Sequence, residues 1–394
     1  MQKTFSLSRN LICLYLVKVA KWLNLVMPII VLFYHSNGLS MQDIFTLQAV
    51  YSFTLMMLEI PTGYFADLAG RRTSILAGSV LGFGGYLIYA FSSGFWEFAV
   101  AETILGVGMS LVSGADSAML YDSLMSAKKS ESYTRYEGRI TSIGNFAEAA
   151  AGILGGLLAV SSLRTPYYFQ AGVAFLAVPA AIMLVEPPIK RAVRKPGFGD
   201  IFRIVKKVLH GDKRLTYNTL FSAVTGASTL TMAWFAQPYF IEVGLPVTAF
   251  GISWAILNLS VGLTAITAWK IEMKLGPPRT VMLFTSVLTA SYIVLSFMHS
   301  IVGLGVLLLF YLARGLATVT LRNYINLITE SDIRATVLSV RNFIIRLIFV
   351  LLGPLFGWIT DHYGLSNGLL SAGIIFGSLG GFTMFLFIRY KTYQ

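Results

Sequence analysis

Nine ionisable side chains lie inside long apolar runs of this chain: Lys18, Lys21, Glu59, Glu102, Asp116, Glu148, Arg314, Arg322 and Arg346. A charge at bilayer depth costs several kcal/mol unless it is paired or hydrated, so each is a candidate for moving a proton or holding a charged ligand. Five bases face four acids, and such a near-balanced set can also neutralise itself as ion pairs that lock helix packing. Lys18 and Lys21, three apart, share one side of a helix, and Glu102 and Asp116, fourteen apart, fall on one stripe at about 3.6 residues per turn. If their helices adjoin, Lys18 or Lys21 neutralises Asp116, and protonation of the carboxylate breaks the pair. Glu148 is the second proton candidate, and Glu59 is placed to pair with Arg346. Arg314 and Arg322, eight apart, can project together, and a guanidinium holds a carboxylate or phosphate in a bidentate way. Trp234 and Gln237 offer aromatic and polar lining on a later run.

The elements that must position these groups follow from composition. Of 394 residues 56% are hydrophobic and 12% charged, about half the charge a soluble domain usually carries. Cytosolic enzymes, disulfide scaffolds and disordered chains are thereby excluded. Apolar stretches near the roughly 20 residues that a spanning helix needs fall at 10–35, 42–66, 73–92, 95–126, 136–161 and 166–185, then at 217–243, 249–274, 280–298, 302–329, 333–361 and 366–390. The expected fold is an all-α integral membrane protein of twelve helices in two six-helix bundles, residues 1–187 and 215–394, joined by a basic linker at 188–214. Within the linker, GDIFRIVKKVLHG has the pattern of an amphipathic helix lying on an anionic leaflet, or of a solvated tether.

Charge sets the orientation. The net charge of +12 could suggest nucleic acid, but basic residues collect at alternate turns, as cytoplasmic loops do. Arg9, Arg71, Arg72, Lys128, Lys129, the linker, Arg279, Arg334 and Arg389 lie on one side, and Arg164 alone on the other. Both termini are therefore expected in the cytoplasm, with the first helix retained rather than cleaved. The single cysteine, Cys13, forms no internal bridge, and there is no HExxH, Gly-rich phosphate loop or Cys cluster, so neither a metal nor another cofactor is expected. A shift of 202 positions lays Arg139 on Arg341 and Gly155 on Gly357, which fits two repeated halves with a substrate site between them.

Between the second and third stretches stands Gly63-Tyr-Phe-Ala-Asp67-Leu-Ala-Gly70-Arg71-Arg72. Gly63 and Asp67 are one turn apart and share a stripe; the glycine admits a neighbouring helix, Gly70 permits a tight turn, and two arginines follow at headgroup level. The run resembles the loop signature of the major facilitator superfamily, in the place where that family carries it. The resemblance implies that Asp67 pairs with a base opening the eleventh helix, here Arg341, and Arg71 with an acid ending the fourth, here Asp122, in a clasp that shuts the cytoplasmic side. Two other family patterns are altered. Glu102 stands where drug exporters carry an arginine four before Gly106, and the fifth helix reads Ala151-Gly152-Ile-Leu-Gly155-Gly156 without the family's proline. The better copy, Gly353-Pro354-Leu-Phe-Gly357, is in the eleventh helix.

What the resemblance implies is a proton-coupled secondary transporter working by alternating access, not an enzyme, in a bacterial inner membrane. Its partners would be a small substrate, protons and lipids, and it would act as a monomer. Export of a small amphipathic or anionic molecule by antiport is the first expectation and uptake of an organic anion by symport the second. A non-transporting membrane sensor or scaffold is the alternative from another class. Proton coupling is favoured over sodium because buried carboxylates and lysines are available, and because no run resembles the interrupted helix of a sodium site.

Overall fold

A computed structural model describes residues 5–188, 211–329 and 334–393. Among these residues all regular structure is helical, as lipid demands of a chain whose backbone groups must pair within their own segment. The linker helix expected around residue 200 lies outside the described residues. The helices are α1 (Leu7–Trp22), α2 (Ile30–Ser36), α3 (Met41–Ala69), α4 (Arg71–Phe91), α5 (Phe95–Val112), α6 (Ala115–Ser126), α7 (Tyr133–Ala159) and α8 (Thr165–Met183), then α9 (Lys213–Glu242), α10 (Val247–Leu275), α11 (Pro277–Phe297), α12 (Gly303–Ile328), α13 (Arg334–Tyr363) and α14 (Leu365–Arg389). α1 and α2, with a short 3-10 turn between them, make the first span, and α5 with α6 the fourth.

Among the described residues eleven spans are long and apolar enough to cross a membrane. The remaining one, α9, is rich in Ser, Thr, Asn and Gln, yet from Leu215 to Phe240 it is buried almost all round. A helix enclosed by other helices presents nothing to lipid, so its hydropathy can fall without cost, and we count it as the twelfth. On α10 the pattern is reversed, and Ile266, Trp269 and Met273, at i, i+3 and i+7, are among its most exposed side chains. This multi-pass membrane protein thus turns apolar side chains outward.

The chain forms two compact units. The first comprises Met1–Leu39, Val50–Lys195 and Val247–Ala255, and the second Ser40–Ala49, Pro196–Pro246 and Ile256–Gln394. The division falls in the linker, but the first turns of α3 and α10 are exchanged.

In the first unit Cys13, Leu14 and Val17 of α1 pack with Ile75, Met119, Leu120, Ile140 and Ala181 from α4, α6, α7 and α8. Asn10 fastens this core, donating to Ser123 Oγ (3.0 Å) and to the Val185 carbonyl (2.8 Å) while accepting from the Val185 N–H (3.0 Å). Gly70, at φ +96°, makes the turn into α4 in a conformation that glycine adopts without penalty. The Glu186 carboxylate then caps α4 by accepting from the backbone N–H groups of Arg71 (3.0 Å) and Arg72 (2.9 Å). Arg164 donates to the Ala90 and Ser92 carbonyls and to Asn37 Oδ1, tying three turns together.

The second unit uses the same device. Asp361, at the end of α13, accepts from the N–H groups of Met41 (2.8 Å) and Gln42 (2.7 Å) and so caps α3. A Cβ on Gly357 would meet Gln42 Cα at 2.6 Å and the Met41 carbonyl at 2.7 Å, so this helix pair is in backbone contact. In the first unit Gly251 sits against Gly152 and Gly156 in the same manner. The glycine runs of the fifth and eleventh spans are thus two copies of one seam. Replacing Asp361 with Ala removes both acceptors from a helix N-terminus and is expected to lower stability by about 1 kcal/mol, measured as a fall in melting temperature in detergent; an unchanged value would mean that the cap contributes nothing.

Candidate functional site

Two spans of the first unit are interrupted. The first stops at Trp22 and resumes through the 3-10 turn Met27–Ile29; the fourth breaks at Ser113 and Gly114, where φ is +81°. Both breaks lie near the middle of their spans. This corrects two expectations. Glu102 and Asp116 are on different helices, so counting residues per turn across the break does not place them on one stripe. Interrupted helices are present after all, and proton coupling cannot be preferred on the ground that they are missing.

The breaks put charges on half-helix ends. Lys21 is in the last turn of α1 and Asp116 in the first turn of α6, where the α1 carbonyl end favours a cation and the α6 N–H end an anion. Lys21 Nζ lies 3.6 Å from Asp116 Oδ2, with both side chains about 85% covered. The Ser117 N–H donates to Asp116 Oδ1 (2.8 Å), and Ser117 Oγ donates to Glu137 Oε1 (3.0 Å) on α7. Lys18, Asp116, Ser117 and Glu137 line a small, partly open recess, with Leu14 and Ile140 as its apolar wall. Lys18 Nζ also stands 5.7 Å from the ring centre of Trp22. Two lysines and two carboxylates therefore gather near mid-span. Glu137 was not foreseen, because it sits in the charged stretch that reads as the edge of a loop.

The other carboxylates are dispersed. Glu102 is 5% exposed and accepts from Tyr89 Oη (2.7 Å) and Tyr34 Oη (3.0 Å), the two hydroxyls being 2.5 Å apart. Phe98 stacks on Tyr89 beside them. Nothing in the spacing of Tyr34, Tyr89 and Glu102 announces this cage, since each comes from a different span. Glu148 is half-buried on the α7 stripe that carries Gly144 and Gly152. Glu59 is half-buried on α3, two residues before Pro61.

Around the signature loop, Arg71 bonds Asp67 (2.6 Å) and approaches Asp122 to 4.0 Å. The Arg71–Asp122 pairing is therefore present, with Asp67 on the same guanidinium. Arg72 donates to the Ile182 carbonyl (3.1 Å). Among the described residues no heavy atom of a neighbouring helix lies within 4 Å of a Cβ built on Gly63. In the second unit, Arg341 bonds Ser222 Oγ on α9 and Asn342 Oδ1. Arg314 lies over the Tyr311 ring at 5.3 Å, Arg322 is exposed, and Arg346 is half-buried. Trp234 is 6% exposed and Gln237 fully buried, so both belong to the packed interior of α9.

Residues 14–351 match the family model for the Major Facilitator Superfamily. Quinolone resistance protein NorA of Staphylococcus aureus, in strains Mu50 and N315 among others, is 24% identical over 168 residues. That alignment covers 43% of this chain and 42% of the relative, so the chain spans less than half the length of the curated relatives it matches. Among solved structures, the nucleoside transporter NupG superposes with a TM-score of 0.77 at 15% identity, covering 98% of this chain and 99% of its own. A D-xylose-proton symporter gives 0.72 at 15% identity, covering 98% and 96%. At such identities the likeness is one of fold.

Proposed function

The chain belongs to the major facilitator superfamily, and from that premise we propose that it is a proton-coupled secondary transporter that exports a small amphipathic or anionic organic molecule by antiport. The observation that carries the proposal is the Lys21–Asp116 pair at mid-span, with Ser117 and Glu137 behind it. A carboxylate held by a lysine at two half-helix ends has two stable conditions: ionised and paired, or protonated with the lysine turned to Glu137. Loading and unloading one proton switches between them. The partial match to a quinolone resistance protein favours export, and a quinolone is the first substrate to test.

In this reading the two bundles alternate between openings to either side of a bacterial inner membrane, with both termini cytoplasmic. Protons, the substrate and lipid are the only partners, and one copy suffices. In the state closed on the cytoplasmic side Asp67 exchanges its bond with Arg71 for one with Arg341. The glycine seams at Gly251 and Gly357 serve closure on the other side. Symport of an organic anion is the second reading, and it draws support from the arginines of α12 and α13.

The test is direct. Purified protein in proteoliposomes with a lumenal pH dye is given an outward-directed quinolone gradient; antiport moves protons inward and acidifies the lumen. Lumenal alkalinisation would indicate symport, and no proton movement with any of a panel of quinolones, dyes and organic acids would remove proton coupling. Asp67→Asn is expected to reduce the rate about 10-fold by weakening the clasp, the typical worth of about 1.4 kcal/mol in a balance of states; an unchanged rate would remove Asp67 from the cycle.

A further inference from the structure

Three side-chain oxygens of the first unit form a triangle that the Lys21–Asp116 pair does not use. Glu102 Oε1 lies 2.7 Å from Tyr89 Oη and 3.0 Å from Tyr34 Oη, and the two hydroxyls lie 2.5 Å apart. The three residues come from α5, α4 and α2. Every side of the triangle is within hydrogen-bond distance, so every side calls for one hydrogen. A phenol brings one and an ionised carboxylate brings none. With Glu102 ionised, three sides share two hydrogens, and one side sets lone pairs against each other. A proton on the carboxyl group supplies the third, and each oxygen then donates once and accepts once. Burial favours the same form, because Glu102 is 5% exposed and an ionised carboxylate is costly to hold away from water.

The surroundings suit a proton and nothing larger. Phe33, Tyr34, Tyr89, Phe98 and Tyr167 are each at most 2% exposed. Phe98 and Tyr167 stack on Tyr89 with ring centres 5.2 and 5.5 Å away, and Phe33 lies 4.0 Å from Tyr167. Arg164 closes over this group. Its guanidinium stands 5.3 Å from the centre of the Phe33 ring, and its bonds to Ala90, Ser92 and Asn37 hold the helix ends that follow Tyr89 and Tyr34. The triangle and the arginine thus fasten the same elements. The other titratable groups facing the site are phenols, Tyr86 and Tyr167, with Tyr51 of α3 beside Tyr86. The charges at the rim are Arg164 and Glu97, whose carboxylate accepts from the Ser93 and Gly94 N–H groups.

We propose that Glu102, Tyr34 and Tyr89 form a proton-binding site, separate from the mid-span pair and occupied in this conformation, whose proton is held as a brace for α2, α4 and α5 rather than carried across the membrane. Loss of the proton leaves the triangle one hydrogen short and puts a charge in an aromatic box, so the three helix ends part. The site answers to pH on the side where Arg164 lies. Under the orientation proposed above that is the outer side, and the brace weakens as the external medium turns alkaline. Occupancy of the site does not depend on the antiport reading.

The experiment is infrared spectroscopy of the detergent-purified full chain at neutral pH. Wild type is expected to show the carbonyl stretch of a protonated carboxyl group, and Glu102→Gln to lose it; identical spectra in that region overturn the site. Isotope labelling of glutamate shifts the band in wild type and so identifies it without any substitution. Tyr34→Phe and Tyr89→Phe each remove one hydrogen bond and should displace the band, whereas a band unmoved in both overturns the triangle. Glu102→Gln can fill all three sides, because its amide nitrogen donates to both hydroxyls while one of them donates to the other. The melting temperature of wild type should therefore fall relative to this variant as the pH is raised, since the folded triangle binds a proton that the unfolded chain releases. Parallel profiles overturn the brace. Asp116→Asn should leave the band in place; its disappearance there means that one proton is shared, and overturns the separation of the two sites. A failure of quinolone antiport leaves all of these outcomes readable.

Discussion

Asp116→Asn is expected to abolish proton movement, by roughly 100-fold or more on the scale of a lost proton-transfer group, while the protein still folds. The amide keeps the shape of the side chain and can still accept from the Ser117 N–H, which lies 2.8 Å from Oδ1. What it cannot do is ionise, so Lys21 has only Glu137 to turn to and the switch stays in one condition. Substrate exchange between the two sides, measured at equal pH, should persist. Lys21→Met makes the complementary case. It leaves Asp116 under cover without its cation 3.6 Å away, and breaking such a pair costs about 3 kcal/mol. The double variant Lys21→Met with Asp116→Asn should recover most of that stability, since neither half is left unpaired. A double variant no more stable than Lys21→Met alone, or pH-driven transport intact in Asp116→Asn, would remove the pair from the mechanism.

Gly155→Ala should prevent the first unit from folding normally. A Cβ at this position would overlap the Leu25 carbonyl oxygen and approach the carbonyl carbon to 2.8 Å. That obstacle is backbone and cannot swing aside. The chain there is also held from behind, because the Leu25 N–H donates to Gln170 Oε1 at 2.8 Å. Overpacking of a rigid site costs about 3 kcal/mol or more, enough to reduce the yield of monodisperse protein severalfold. Gly172→Ala is the control: nothing lies within 4 Å of its Cβ on α8, and alanine should be neutral or slightly stabilising there. Equal melting temperatures for the two variants would refute the argument.

How much of this could be read from residue order alone differs between parts of the molecule. The spans were legible because lipid imposes a length and a composition on each helix. The Arg71–Asp122 contact was legible because a local signature fixes its place in the fold. The Lys21–Asp116 pairing was legible only as a conditional, since spacing says which residues share a side of one helix and not which helices adjoin. The reasoning failed where it assumed continuity. The interruption at Ser113 and Gly114 turns the count between Glu102 and Asp116 into a number without geometric meaning, and Gly114 alone, one of 36 glycines, did not mark it. The Glu102 cage and the caps made by Glu186 and Asp361 were illegible for a related reason. Each joins residues far apart in sequence, and a carboxylate at a loop margin looks the same whether it is solvated or holds a helix end.

The enclosure of α9 bears on how proteins of this shape are surveyed. Among the described residues a hydropathy scan returns an odd tally, eleven, and an odd tally assigns the beginning and the end of a polypeptide to opposite compartments. Adding the segment that hides from lipid restores even parity. Under the orientation proposed above, a fusion reporter at the carboxyl end is expected to contradict the scan, the disagreement tracing to one buried, polar-rich helix rather than to inverted insertion.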